Sequence, residues 1–208
     1  MTGLARVAAV LLDMDGTLVD SDAAVERSWR AWAREHGMDP ERVLAIAHGN
    51  PSTTTVRQLA PHLSEPEIAA AGQRQLELEY DDLDGVAATP GAHELLDVLA
   101  QRSLPWAVVT SADQRLAKLR LTAAGIAPPL LVTVEDLVRG KPDPEGYLTA
   151  AATLGVEPAS CLVVEDSLPG IAAGRAAGAQ VAAMRGLAAD YAITDLSQLA
   201  GWLRGATP

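Results

Sequence analysis

Apolar and polar positions fall into blocks along this chain, and the blocks predict its architecture. Residues 7–12, VAAVLL, form an unbroken apolar run ending at Asp13, the pattern of a strand covered on both faces. From residue 21 the spacing becomes helical. Ala24, Val25, Trp29 and Trp32 recur at helical intervals up to residue 36, and Gly37 stops that helix. Asp39 and Pro40 then supply an N-cap and a first-turn proline for the next helix. Ser64-Glu65-Pro66-Glu67 is a capping-box sequence that opens a further helix towards Tyr80. Residues 20–84 therefore read as all-helical, with Trp29 and Trp32 better suited to its core than to a ligand site.

From Pro90 onward short apolar runs alternate with helical segments. The pattern predicts helix 91–102, strand 106–109, helix 114–124, strand 130–132, helix 145–154, strand 161–164, helix 169–177 and strand 181–183. Such alternation is that of an α/β fold, a doubly wound parallel sheet with helices on both faces. The helical block is then an insertion after the first strand. We expect a core of residues 1–19 and 86–208 and a small all-helical cap of residues 20–85. Open parallel sheets bind ligands beyond the carboxyl ends of their strands, and the cap would overhang that edge.

Composition narrows the function classes. The 208 residues are 49% hydrophobic with no Phe, so the core is built from Ala, Val, Leu and Ile. A net charge of −11 with scattered Lys and Arg argues against a nucleic-acid partner. An anionic substrate would need a local positive field from a metal, one or two placed cations and helix N-termini. The single Cys161 cannot form an internal disulfide and reads as a buried strand residue. The N-terminal apolar run is too short to span a bilayer and meets acids rather than a cleavage site, so a cytoplasmic protein without membrane contact is expected.

Candidate chemistry sits at the strand ends. Asp13 and Asp15 follow the first strand, Thr110 and Ser111 the second, Glu165 and Asp166 the penultimate one. Any one pair alone reads as turn formers or helix caps. Parallel strands bring all three ends together, and four converging carboxylates repel one another unless a divalent cation compensates. Oxygen-only ligands favour Mg²⁺ over zinc, and His36, His48, His62 and His93 lack the spacing of a competing metal site.

The segments DMDGTLVDS, VVTSA, GKPDPEGY and VVEDSLPGI resemble, in order, the four motifs of the haloacid dehalogenase-like superfamily of phosphotransferases, across nearly the whole chain. The segment AVERSWRAWAREHGMDPERVLAIAHGN is similar to the cap of the sugar-phosphate phosphatase branch, the group of 2-deoxyglucose-6-phosphatases, glycerol phosphatases and hexitol phosphatases. The resemblance implies a Rossmann-like core and a Mg²⁺-dependent phosphomonoesterase acting on a small sugar or polyol phosphate. It implies Asp13 as the nucleophile that becomes an aspartyl-phosphate and Asp15 as the acid and base. Mg²⁺ would be held by Asp13, the backbone carbonyl of Asp15 and Asp166, with Glu165 contacting it directly or through water. Gly16, Thr110, Ser111 and Lys141 would bind the phosphoryl group, with Thr110 and Lys141 counted among the catalytic residues.

Within this resemblance Asp15 counts against dehalogenation. The absence of Lys before residue 118 counts against phosphonate hydrolysis through a cap Schiff base. A sugar phosphomutase of the β-phosphoglucomutase type shares all four motifs and is the alternative, ahead of a non-enzymatic phospho-acceptor module. In the cap, His48, Gly49, Asn50 and Arg57 are the candidate substrate-reading residues, because the stretch 48–52, followed by Arg57, joins two cap helices and so faces the expected cleft. Asn50 stands where relatives often carry a basic residue, which leaves hexose, polyol and glycerol phosphates open. The expected partner is a small phosphorylated metabolite, and the expected assembly a monomer or homodimer.

Overall fold

The computed structural model describes residues 7–47 and 51–205. Strand β1 (Ala9–Leu12) leads into a short β2 (Val19–Asp20) and then into helices α1 (Asp22–Glu35), α2 (Pro40–Ala47), α3 (Ser52–Leu59) and α4 (Glu65–Asp81). Strand β3 (Ala87–Ala88) pairs antiparallel with β2. The chain then alternates through α5 (Ala92–Gln101), β4 (Trp106–Val109), α6 (Gln114–Ala123), β5 (Leu131–Val132), α7 (Glu145–Leu154), β6 (Cys161–Glu165), α8 (Leu168–Ala176), β7 (Gln180–Ala183), β8 (Tyr191–Ala192) and α9 (Leu196–Gly205).

The main sheet has six parallel strands in the order β5-β4-β1-β6-β7-β8. The order reverses at β1, which pairs with β4 on one side and β6 on the other, and this switch point is where open α/β sheets bind ligands. Successive β1 residues serve opposite faces. Val10 and Leu12 join the cluster with Leu95, Leu99, Leu116 and Leu199, while Ala9 and Leu11 join Tyr147, Val163 and Ile171. Both sheet faces are covered, which is why the run could not alternate with polar residues. Cys161 is fully buried on β6, and burial pushes its thiol up to about 11.

The α1–α4 block encloses its own cluster around Trp29, Trp32, Val43, Val56 and Ile68. Trp32 Nε1 donates to the Ala71 carbonyl at 2.9 Å, satisfying the indole inside that cluster. The sequence signals for these helices act as read. Asp39 Oδ1 accepts from the Glu41 amide at 3.1 Å, and Glu67 Oε2 accepts from the Ser64 amide at 2.8 Å. Gly37 takes a left-handed φ of 64° at the first helix end.

The structure differs from the sequence reading in three places. Strand β6 continues to Glu165, so that carboxylate is part of the strand rather than beyond it. Helix α9 carries a helical apolar stripe, Leu196, Leu199, Ala200 and Leu203, that the sequence reading passed over. The two-residue strands β2, β3 and β8 are too short to show a period. Among the described residues no helix is long and apolar enough to cross a membrane.

Candidate active site

Strand register assembles the site. Leu12 pairs with Val108 on one side and Val164 on the other, so Asp13 emerges level with the ends of β4 and β6. The Asp13 amide still donates to the Val164 carbonyl at 3.0 Å, which holds its side chain at the switch point. Thr110 follows β4, is buried, and accepts the Ala112 amide on Oγ1 at 3.0 Å, leaving its hydroxyl proton to donate elsewhere. Thr110, Ser111, Asp13, Asp15, Lys141 and Asp166 share one cleft of about 380 Å³.

Lys141 ties two strands together. Its Nζ lies 2.5 Å from Asp13 Oδ1, 2.7 Å from Glu165 Oε1 and 3.0 Å from the Val109 carbonyl, which uses all three ammonium protons. The loop carrying it is fixed by Glu145, whose carboxylate accepts the Val138 and Arg139 amides at 2.9 Å each. Burial disfavours the Lys141 ammonium, but Asp13 and Glu165 outweigh it and hold its pKa above the usual lysine range. Burial also pushes the Asp13 carboxyl well above the carboxylate range, with Lys141 opposing. Glu165 is fully buried and accepts from the Tyr147 hydroxyl at 2.7 Å and the Ser167 hydroxyl at 2.9 Å.

Asp15 is held on both oxygens. Ser21 Oγ donates to Oδ1 at 2.6 Å, and Arg120 Nη1 lies 3.0 Å from Oδ2. Arg120, on α6, also pairs through Nη2 with Glu79 Oε2 of α4 at 2.9 Å. Asp166 is paired with Arg185, whose Nε lies 2.8 Å from Oδ2 and whose Nη2 reaches Asp22 at 2.9 Å. Burial pushes the Asp166 carboxyl up to about 6 despite Arg185.

Asp13, Glu165 and Asp166 each offer a carboxylate oxygen within 4.8 Å of the others. This all-oxygen set suits a hard divalent cation. The backbone beside it is cut to size: Gly16 has φ 79°, and a Cβ there would fall 2.1 Å from Asp166 Oδ2. The residues present therefore fit Mg²⁺.

Of the candidate substrate-reading residues, His48, Gly49 and Asn50 lie outside the described residues. Arg57 pairs with Glu65 across the turn between α3 and α4, Nη2 to Oε2 at 2.7 Å, with half of its side chain exposed, and is not among the described residues that line the cleft. Its partner is the first residue of α4, eight positions further along the chain. The cleft is also lined by Gln75, Glu79, Arg120 and Arg185, which the sequence reading did not single out, and by Trp29, which it assigned to the core and which belongs to the insert's cluster as well. Arg120 sits in the helical segment QRLAKLRLTA, where nothing but its place in the fold separates it from Arg115 or Lys118.

Comparison with known proteins agrees with this geometry. The family model for haloacid dehalogenase-like hydrolases matches residues 7–178. Hexitol phosphatase A of Escherichia coli K12 is 46% identical over 180 residues, covering 86% of this chain and 83% of that protein. 2-Deoxyglucose-6-phosphate phosphatase 2 of Saccharomyces cerevisiae is 32% identical over 217 residues, covering 91% and 88%. Among solved structures, β-phosphoglucomutase from Clostridium difficile superposes with a TM-score of 0.83 at 20% identity over 93% of each chain, a likeness of fold.

Proposed function

The chain belongs to the haloacid dehalogenase-like hydrolases, and on that premise we propose that it is a Mg²⁺-dependent phosphomonoesterase that hydrolyses a small sugar or polyol phosphate through a phosphorylated Asp13. The observation that carries the reading is the convergence of Asp13, Lys141 and Asp15 on one cleft beside the acidic trio. Asp13 attacks phosphorus and the ester oxygen departs, which splits hydrolysis into two displacements. Asp15 gives a proton to the departing oxygen and later takes one from the attacking water. Lys141 and the Thr110 hydroxyl bind the phosphoryl oxygens as charge spreads over them, together with the Ser111 amide. Asp13, the Asp15 carbonyl and Asp166 would hold Mg²⁺, with Glu165 contacting it directly or through water. The bound ion offsets the repulsion between the Asp13 carboxylate and a phosphate dianion.

The leaving-group end of the cleft supports an uncharged, hydroxylated alcohol. It combines Val25, Trp29 and Leu76 with Ser52, Gln75 and Glu79. The cations among the described residues lining the whole cleft, Lys141, Arg120 and Arg185, are each already paired with carboxylates. A second phosphate or a carboxylate on the substrate would meet Glu79 and Asp22 without a free cation. Transfer to a second hydroxyl uses the same residues, but both curated relatives described above are phosphatases by name, which supports hydrolysis. We further assign residues 20–85 to a cap over a core of 1–19 and 86–208, in a cytoplasmic monomer or homodimer.

The test is release of inorganic phosphate from a panel of hexose, hexitol and glycerol phosphates with Mg²⁺, with excess chelator and with Ca²⁺. Turnover is expected with Mg²⁺ alone, because Ca²⁺ takes more ligands and a looser geometry. Full activity in chelator would remove the metal, and inertness towards the whole panel would remove the substrate class.

A further inference from the structure

Arg120 has no duty in the phosphoryl chemistry above, yet it is 3% exposed and spans two carboxylates from different parts of the fold. Nη1 faces Asp15 Oδ2 in the loop after β1, and Nη2 faces Glu79 Oε2 on α4 of the helical insert. Glu79 is itself held by Gln75 Nε2, which also reaches Ser28 Oγ on α1 at 3.3 Å. A continuous set of polar contacts therefore runs from the interior of the insert to the carboxyl that serves as acid and base.

Stability alone is a poor account of this arrangement. Buried ion pairs often contribute little net stability, because desolvation offsets the attraction. Arg120 Nε is in addition buried with no hydrogen-bond partner, an unsatisfied donor that costs free energy. Burial pushes the Glu79 carboxyl above its usual range with Arg120 opposing, so Glu79 also gains nothing by being there on its own.

We propose that Arg120, anchored by Glu79, is a positioning residue for Asp15, which makes the placement of the proton-donating carboxyl depend on helix α4 of the insert. The inference rests on the reading of Asp15 as acid and base. Arg120 stays charged at any working pH and so cannot relay the proton itself. It acts by geometry: the planar guanidinium sets the Asp15 and Glu79 carboxylates at a fixed separation, while Ser21 fixes the other Asp15 oxygen. An ammonium on a flexible stem cannot hold both carboxylates in that way. The insert would then need to be seated on the core for Asp15 to be aligned, which links substrate enclosure to proton delivery.

The test uses leaving groups that need the proton to different degrees. A p-nitrophenolate departs without protonation, phenolate benefits from it, and a benzyl alkoxide requires it, and none of them carries a sugar hydroxyl. We would measure kcat/KM, which reports the steps through formation of the phosphorylated enzyme, for p-nitrophenyl, phenyl and benzyl phosphates in the wild type, R120K, E79Q and E79Q/R120M. The double variant is included because R120M alone leaves Glu79 buried without its cation. For R120K and the double variant the expected losses are under about threefold on the nitrophenyl ester and on the order of 100-fold on the benzyl ester, within the usual range for general acid catalysis. E79Q should show the same trend more weakly. Losses equal across the three esters, with folding checked by circular dichroism and thermal midpoint, would mean that Arg120 only joins the insert to the core, and the proposal falls. A wild type inert with Mg²⁺ towards these esters and towards the hexose, hexitol and glycerol phosphates would instead overturn the phosphatase reading, and the proposal with it.

Discussion

The Lys141 ammonium lies 2.5 Å from Asp13 Oδ1, although 128 residues separate the two in the chain. The contact joins the end of β1 to the loop before α7, and Glu165 on β6 shares the same ammonium at 2.7 Å. In the resting protein the lysine thus shields the carboxylate proposed to attack phosphorus, and on substrate binding it is already in place for the incoming negative charge.

That geometry sets the outcome of D13N. The amide keeps the shape of the side chain and removes a charge that burial disfavours, while Lys141 retains Glu165 and the Val109 carbonyl. Phosphate release should vanish, and the thermal midpoint should hold or rise, by about 2–4 °C for each kcal/mol of relieved strain in a chain of this size. Phosphate release near the wild-type rate would remove Asp13 as nucleophile.

Gly170 is a sharper structural test. A Cβ there would lie 1.7 Å from Glu165 Oε1, and Glu165 is fully buried with Lys141, Tyr147 and Ser167 around it. G170A should therefore displace Glu165, cost about 1–3 kcal/mol as other overpacked sites do, and lower phosphatase activity at least about tenfold through Lys141. G201A is the control, since a Cβ on that α9 glycine meets nothing within 4 Å. If G170A matches G201A in thermal midpoint and rate, the Glu165 contacts are not what holds Lys141.

Much of this site was legible before folding, for a physical reason. A strand buried on both faces is a continuous apolar run, so the residues that end it, Asp13, Thr110 and Asp166, stand out against it. Parallel strands then dictate that these ends meet. Arg120, Glu79, Gln75 and Tyr147 were not legible, because each sits on a helix where polar residues are ordinary and only the packing of α4 on α6 and of α7 on the sheet turns them inward. Arg57 shows a different difficulty: a basic residue expected near the cleft is paired in the structure with an acid, Glu65, whose position the sequence reading did not weigh.

The Arg57 pair gives a prediction against the earlier expectation. Both partners are largely exposed, at 50% and 75%, and such pairs contribute little. R57A should change kcat/KM by less than about twofold on the best sugar phosphate and on p-nitrophenyl phosphate alike. A loss above about tenfold confined to the sugar phosphate would show that the pair opens on binding and that Arg57 reads the sugar after all.

Arg185 offers the last test, through metal affinity. It is a non-glycine residue with a left-handed φ of 54°, a conformation that recurs at functional sites, and it clamps Asp166 to Asp22 at the start of the insert. Two effects of its charge on Mg²⁺ oppose each other. It repels a dication and occupies Asp166 Oδ2, but it also favours the ionised carboxylate that the metal needs. Burial pushes Asp166 up to about 6 with Arg185 present, so at pH 8 the carboxylate of the wild type is ionised. At that pH we expect the repulsion to decide the sign. R185Q should lower the Mg²⁺ concentration for half-maximal activity at pH 8 by about 3- to 10-fold, or about 0.6–1.4 kcal/mol of tighter binding. Calorimetric titration of the protein with Mg²⁺ should show the same direction without turnover. Weaker Mg²⁺ binding in R185Q by both measures would mean that the arginine holds Asp166 in its ligating pose, and that this orientation outweighs the repulsion.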